Sequence, residues 1–419
     1  MSLATVERSP GDAQARIPDE PLFTAEVEIP AFEVRGWVSI HSLGARGACG
    51  GIRLYPDVER REVEALARAM TYKYAFFEKE MGGAKAGFRL PFGWPPERRR
   101  GALREIGAHI APLVRANVYN PWTDMNCSRD DLREIMAGAG IGIPEVGDSA
   151  YTTALSTFAG VMACAAHAQV GARDLRVTIE GLGNVGTCLA TELVARGAKV
   201  VGLSNRVGAV ADPAGLDVAA IARAREAHGD AWVDEPGPWT RVDREQVPAL
   251  AADVHVPCAR TEAITSERAA RIGAPYVVPA ANVPCTEGGV LELERRGIRL
   301  LPDFVINGGG IVGTGLGELA SSDEAIRAVF FGEFQQMIRR LLQLAEHTQR
   351  TPVDLARDEA HRNYEALVRS ARRVPKLPQK VYHALAWRGL VPRRQLRRRS
   401  AEHLLRVLNG RFAERQGNA

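Results

Sequence analysis

Two lysines, Lys73 and Lys85, stand twelve residues apart, the second inside the glycine-rich stretch GGAKAG, and Asp124 follows the proline-containing segment NPWT. A lysine enclosed in a pocket loses proton affinity and can activate water. A second lysine can hold a carboxylate, and an aspartate can exchange protons with an amine. Facing a nicotinamide ring, such a trio suits oxidation of an amino acid. Glycines around a lysine also suit a phosphate cradle or a bend in the chain, and spacing alone does not bring the three side chains together. Lys79, between the two, has the ordinary reading of a solvated helix face.

The better phosphate cradle lies about a hundred residues later. Gly181, Gly183 and Gly186 form GLGNVG, with Asn184 and Val185 inside the turn, between the β-branched strand LRVTIE and the helix TCLATELVARGA. In that setting the first glycine makes the tight turn, the second admits a pyrophosphate to backbone N–H groups, and the third lets helix pack on strand. The phosphates then face a helix N-terminus. The bland alternative is a strand, turn and helix that merely contain glycines. About 20 residues further on, an acidic residue would hold the adenosine ribose; Asn205 and Arg206 stand there instead. Asparagine does not repel a 2′-phosphate and arginine can pair with one, which favours NADP over NAD, with dual use open. Arg206 as a solvated loop residue is an equal alternative.

The elements that must position these residues follow from the patterning. TAEVEIPAFEVRGWVSIHSL and GGIRLYP read as strands, and DVERREVEALARAMTYKYAFFEKE carries apolar residues at helical spacing. PPERRRGALREIGAHIAPLVRA is a second helix, opened by proline. After GIGIPEVGDSAYTTA the Ala-rich helix ALSTFAGVMACAAHAQVG leads into a βαβ unit around GLGNVG. Short strands follow at ADVHVPC, YVVPAAN and FVIN, so this half reads as a parallel, doubly wound sheet. SDEAIRAVFFGEFQQMIRRLLQLAEHT then reads as one long amphipathic helix.

A chain of 419 residues can hold two domains with separate cores, and 46% hydrophobic with 25% charged residues is the composition of a soluble globular protein. No apolar run approaches the roughly 20 residues of a membrane helix. The polar start MSLATVERSPGDAQAR lacks the apolar core of a secretory signal. Cysteines 49, 127, 164, 188, 258 and 285 form no C-x-x-C pair, which speaks against a zinc site or a disulfide framework and for a reducing cytoplasm. The net charge of +4 hides an asymmetry. Residues 368–419 hold 14 Lys/Arg against Glu402 and Glu414, a balance of +12, which leaves −8 for the rest.

Six ordered motifs carry a resemblance: CGGIRLYPDVERREVEALARAMTYK, MGGAKAGF, VTIEGLGNVG, LSNRVGAVADPAGLDV, VPAANVPCTEGG and LPDFVINGGGIVGT. Over roughly residues 25–367 the chain resembles the glutamate/leucine/phenylalanine/valine dehydrogenases. The resemblance implies a two-domain α/β fold. An N-terminal mixed-sheet substrate domain (23–148, completed by about 321–367) is followed by a Rossmann-type dinucleotide domain (149–320) with a C-terminal helical return. Residues 1–22 read as disordered and 368–419 as a basic extension. By the same resemblance Lys73 binds the substrate α-carboxylate. Lys85 polarises the 2-oxo group or activates water, and Asp124 exchanges protons with the amino group. Thr153 and Asn282 match positions that contact the nicotinamide end of the cofactor, and Asn307 opens the NGGG segment that passes between cofactor and substrate. The implied reaction is NAD(P)-dependent oxidative deamination of an L-amino acid to its 2-oxo acid and ammonia, or the reverse. The implied assembly is a homo-oligomer, commonly a hexamer, and the composition adds the expectation of a cytoplasmic setting away from membranes.

The chain departs from the glutamate-specific pattern just before GGIR. Glutamate enzymes carry a lysine there to pair with the side-chain carboxylate; here Cys49 stands in its place. A neutral cysteine leaves such a charge without a partner. Their companion serine aligns with Thr314, still a hydroxyl. The expected substrate therefore has a neutral or apolar side chain. The alternatives are a glutamate dehydrogenase with an altered carboxylate site and a non-catalytic relative with a partner-binding tail. Cys49 as a small pocket-lining residue is favoured over Cys49 as a nucleophile. A second departure is Ser156, where the family usually has glycine three residues after the threonine matched by Thr153; it is expected to crowd the nicotinamide or alter the helix start. In the tail, Leu404, Leu405 and Leu408 have helical spacing. Its arginines suit nucleic acid, but docking on the acidic body of its own or a neighbouring subunit is the expectation.

Overall fold

A computed structural model describes residues 16–142, 149–316, 322–372 and 394–413. The chain divides into two compact units, Met1–Gly142 with Arg357–Val374, and Ile143–Ala356 with Pro375–Ala419.

In the first unit the alternating N-terminal segments fold as an antiparallel pair, β1 (Phe23–Ile29) and β2 (Val34–Ile40). GGIRL lies in β3 (Ala48–Leu54), followed by α1 (Arg60–Phe76), β4 (Gly82–Phe88), α2 (Pro96–Arg115), β5 (Tyr119–Thr123) and α3 (Arg129–Gly138). The strand order is β1-β2-β4-β3-β5, with β2 antiparallel to β4 and β3 parallel to both β4 and β5. Two readings change here. GGAKAG is not a turn but the strand β4, buried along its whole length. Its glycines serve close packing: a Cβ on Gly83 would lie 2.2 Å from Thr71 N and 2.4 Å from Ala67 O, in the backbone of α1. The NPWT segment is likewise a strand, β5, which tolerates Pro121 because it is an edge. Of the segment expected to be disordered, residues 1–15 lie outside the described residues. Ile17 is buried, and its N–H donates to His361 Nδ1 at 2.9 Å.

The second unit opens with α4 (Ser149–His167), then β6 (Arg176–Glu180), α5 (Asn184–Ala195) and β7 (Lys199–Ser204), the βαβ unit read from the sequence. Next come β8 (Ala209–Ala211), α6 (Val218–His228), β9 (Thr240–Val242), β10 (Val254–Pro257), α7 (Ser266–Ala269) and β11 (Tyr276–Val277). After α8 (Glu287–Arg295) lie β12 (Arg299–Leu300), α9 (Asp303–Ile306) and α10 (Gly309–Leu316). The sheet order is β12-β11-β10-β6-β7-β8-β9, parallel from β12 to β7 and closed by an antiparallel β8–β9 edge. FVIN, expected to be a strand, is the end of the helix α9 with Asn307 as its C-cap. The apolar run is too short for periodicity to decide, and Pro302 starts a helix there.

The long helix expected after the sheet is three pieces: α11 (Asp323–Val329), a π-helical turn at Phe330–Phe334, and α12 (Gln335–Thr348). The apolar face of α12, with Met337, Ile338, Leu341 and Leu342 buried, packs on α4. That packing keeps the segment in the second unit, and the return to the first unit begins only at Arg357, within α13 (Pro352–Arg372). Amphipathic spacing marks an apolar face without saying which partner covers it. In the basic extension, residues 373–393 lie outside the described residues. Arg394–Gly410 form a helix with Ala401, Leu404, Val407 and Leu408 buried. It packs on α10 and the π turn, and this contact has an apolar component beyond the charge pairing expected of a basic tail. Arg340 of α12 closes the end of this helix, donating from Nη1 to Asn409 O at 2.8 Å and from Nη2 to Leu408 O at 2.7 Å.

Candidate active site

Lys85 and Asp124 meet. Lys85 points from the middle of β4, where the strand is covered by α1, and Asp124 follows β5 directly. The ammonium lies 3.1 Å from Asp124 Oδ1. Gly51 of the intervening strand β3 makes room, since a Cβ there would sit 2.7 Å from Asp124 Cβ. The second Asp124 oxygen is taken by a residue that the sequence reading missed. Arg53 Nε donates to Oδ2 at 2.9 Å, while Arg53 Nη1 donates to Glu62 of α1. Burial alone would push the Asp124 carboxyl up, but the Lys85 and Arg53 cations outweigh it and hold the carboxyl well below the usual carboxylate range. Lys85 is driven the other way. Burial lowers its proton affinity, Asp124 opposes the shift and Arg53 reinforces it. A buried lysine eased towards its neutral form beside a fixed carboxylate can pass protons to and from a bound molecule. Lys73, on the last turn of α1, is also buried.

Cys49 is the second residue of β3, beside Gly50, whose carbonyl accepts from Tyr119 Oη at 3.0 Å. The thiol is raised above its ordinary value by burial; a hydrogen bond to Tyr74 and the nearby Lys85 and Arg46 cations counteract this only in part. It is thus a neutral S–H, unsuited to nucleophilic attack. Thr314 belongs to the second unit. It is exposed on α10, and its hydroxyl bonds back to Gly310 O at 2.7 Å.

In the second unit Gly181 has φ +112°, a conformation that requires glycine, and a Cβ on Gly186 would lie 2.1 Å from Gly181 O. Gly183 caps the start of α5, with no side chain closing that end, and Asn184 and Val185 form the first helical turn. A Cβ on Gly183 would meet nothing within 4 Å, so the approach to the helix N-terminus is open. This cradle fits a dinucleotide pyrophosphate. Behind it, Glu180 ends β6 and accepts from Arg268 Nη1 at 2.9 Å, an anchor the sequence did not disclose because the partners are 88 residues apart. At the end of β7, Asn205 accepts from Val207 and Gly208 of its own loop and donates to Asp230 O, after α6, at 2.7 Å. Arg206 is exposed and paired with Asp230, and its carbonyl accepts from Arg244 Nη1 at 3.0 Å.

Asn307, after α9, donates to Ala281 O at 3.0 Å and to Asn282 Oδ1 at 3.1 Å. The Thr153 hydroxyl faces Gly310, where an added Cβ would stand 3.7 Å from its oxygen. Ser156 faces α10 from α4. It is fully buried between α4 and α10, donating to Thr153 O at 3.0 Å and accepting from Gly309 N at 3.1 Å.

A largely parallel sheet with an open glycine turn at a helix N-terminus and a mixed-sheet unit holding a buried lysine–aspartate pair define a two-unit α/β protein. Residues 146–369 match the Glutamate/Leucine/Phenylalanine/Valine dehydrogenase family, and residues 26–137 match its dimerisation domain. The chain belongs to this family of amino-acid dehydrogenases. It is 32% identical over 293 residues to the glutamate dehydrogenase of Thermotoga maritima, spanning 65% of this chain and 69% of that one. To the NAD-specific glutamate dehydrogenase of Staphylococcus aureus it is 29% identical over 317 residues, 70% and 75% of the two chains. Among solved structures, the hetero-hexameric glutamate dehydrogenase from Thermus thermophilus in its Leu-bound form matches with a TM-score of 0.71. That match has 25% identity over 84% of this chain and 89% of the other. The L-tryptophan dehydrogenase of Nostoc punctiforme shares the fold, with a TM-score of 0.55 and 22% identity over 84% and 97% of the two chains.

Proposed function

We propose that the chain interconverts an L-amino acid of neutral side chain with its 2-oxo acid and ammonia, using NAD(P). The nicotinamide, when bound, accepts or supplies the hydride. Lys73 holds the α-carboxylate, Lys85 activates the water that hydrolyses the imine, and Asp124 carries the amine proton. The GLGNVG turn, Thr153, Asn282 and Asn307 hold the dinucleotide. NADP is favoured over NAD because Asn205 carries no charge to repel a 2′-phosphate and Arg244 brings a guanidinium to the Arg206 carbonyl at the end of β7; Asp230, paired with Arg206, pulls the other way. The proposed assembly is a homo-oligomer.

The observation that carries the substrate class is the neutral pair at Cys49. The thiol is hydrogen-bonded to Tyr74, and Arg53 and Lys85 already face Asp124 and Glu62. A second substrate carboxylate there would be buried beside an S–H group, a costly arrangement. Initial rates with NADPH and with NADH, ammonia and a panel of 2-oxo acids test this. Neutral 2-oxo acids should lead, and Cys49→Lys should shift preference towards 2-oxoglutarate. A second reading, glutamate as substrate, draws on Arg46, whose charge reaches the Cys49 thiol. If 2-oxoglutarate is best in the wild type and is lost in Arg46→Met, that second reading replaces the first.

A further inference from the structure

Ser156 is the position at which the chain departs from the glycine expected after Thr153, and its hydroxyl joins two helices whose sequences lie 153 residues apart. The N–H of Gly309 belongs to the first turn of α10, where donors have no partner within the helix. Ser156 Oγ accepts that N–H at 3.1 Å and donates to Thr153 O at 3.0 Å, so one buried hydroxyl caps α10 and grips the turn of α4 that carries Thr153. The contact is tight. A Cβ on Gly309 would fall 2.0 Å from Thr152 O and 2.4 Å from Ser156 Oγ. Two residues before Gly309, Asn307 is bonded to Ala281 and Asn282. Thr153, Asn307 and Asn282 thus share one framework, and Ser156 is its joint.

We propose that Ser156 is a positioning residue for the nicotinamide end of the cofactor, acting through the Gly309 N–H to hold Asn307 and Asn282 in register with Thr153. This rests on the assignment of those three residues to the cofactor and adds the residue that aligns them. A group that merely filled the α4–α10 contact would affect stability alone.

The test uses the full chain and titrates NADPH and NADH by nicotinamide fluorescence, with melting temperatures and steady-state constants measured in parallel. Ser156→Ala and Ser156→Gly remove both hydrogen bonds with little loss of volume. Each should raise the cofactor Kd and KM about three- to tenfold, the weight of one hydrogen bond to a buried donor, while kcat changes less. Thr157→Val is the control. Thr157 is fully buried on the same helix and donates to the same Thr153 carbonyl at 2.8 Å, without touching Gly309. It should leave the cofactor Kd unchanged. A Kd within about twofold of wild type in both Ser156 variants, with only the melting temperature lowered, would overturn the proposal. An equal rise in Thr157→Val would overturn the route through Gly309. Wild-type chain that binds neither dinucleotide would bring down the cofactor reading itself, and this inference with it.

Discussion

Asp124 has both oxygens engaged, one by Lys85 and one by Arg53, so its position and its charge are set by two cations at once. The groups facing it are Lys85 from β4, Arg53 from β3, Glu62 behind Arg53 on α1, Tyr119 from β5 and Cys127 after it. Because the fold holds this carboxyl below its ordinary value, the stability it contributes is complete above the usual carboxylate range and is lost as the pH falls through the folded value. Arg53→Met removes one of the two cations that hold Asp124 down, and also a cation that helps to hold Lys85 down. Both groups then titrate at higher pH, so the acid limb of the kcat/KM profile should move to higher pH. An unshifted limb with a uniformly reduced rate would leave Arg53 a purely structural role. Lys85→Ala should lower kcat roughly 10²- to 10⁴-fold, the usual weight of a proton-transferring group, with cofactor affinity retained; surviving turnover would remove Lys85 from the mechanism. Lys73, Lys85 and Asp124 were legible as candidates because their residue types and surroundings invite chemistry. Arg53 was not, because an arginine in a strand reads as a solvated face until its neighbours show the strand to be interior. The available signal was a full charge between a glycine pair and an apolar run, which needs a partner once buried.

The glycines of β4 and of the dinucleotide turn look alike in sequence and do different physical work. In GLGNVG they shape a turn and leave a helix end open; in GGAKAG they let a helix lie directly on a strand. Gly83→Ala should therefore destabilise the first unit by about 1–3 kcal/mol or more, as overpacking does, because backbone atoms of α1 cannot yield as a flexible side chain would. Thermal unfolding measures this, and wild-type stability in the variant would contradict the close α1–β4 contact. The βαβ unit was legible because strand, turn and helix are contiguous. FVIN was misread because three apolar residues carry no period, and the break in the long helix falls at the π turn FFGEF. Ser156 was visible as an oddity, but its role depends on Gly309, and no local pattern connects residues so far apart.

Two domains were legible from length and from the change in patterning near GIGIPEVGDSAYTTA, whereas the partner of each late helix was not, because amphipathicity names a face and not its cover. The basic extension shows the consequence. A balance of +12 against a body of −8 argued for electrostatic docking, and among the described residues the helix Arg394–Gly410 also buries Ala401, Leu404, Val407 and Leu408 and is closed by Arg340 at its end. These two attachments respond oppositely to salt. Charge pairing at the surface is strongly screened in 1 M NaCl, where the Debye length is about 3 Å, whereas burial of apolar area is not weakened. Each fully buried leucine is worth about 1.5–3 kcal/mol by area, so removing residues 394–419 exposes matching surface on α10 and the π turn and should lower the melting temperature of the second unit distinctly. The decisive quantity is the difference in melting temperature between full-length and truncated chains at low and at 1 M salt. Apolar docking keeps that difference, and Leu404→Ala with Leu408→Ala reproduces most of it. A difference that collapses in salt, or that the double substitution does not touch, would return the extension to the electrostatic reading.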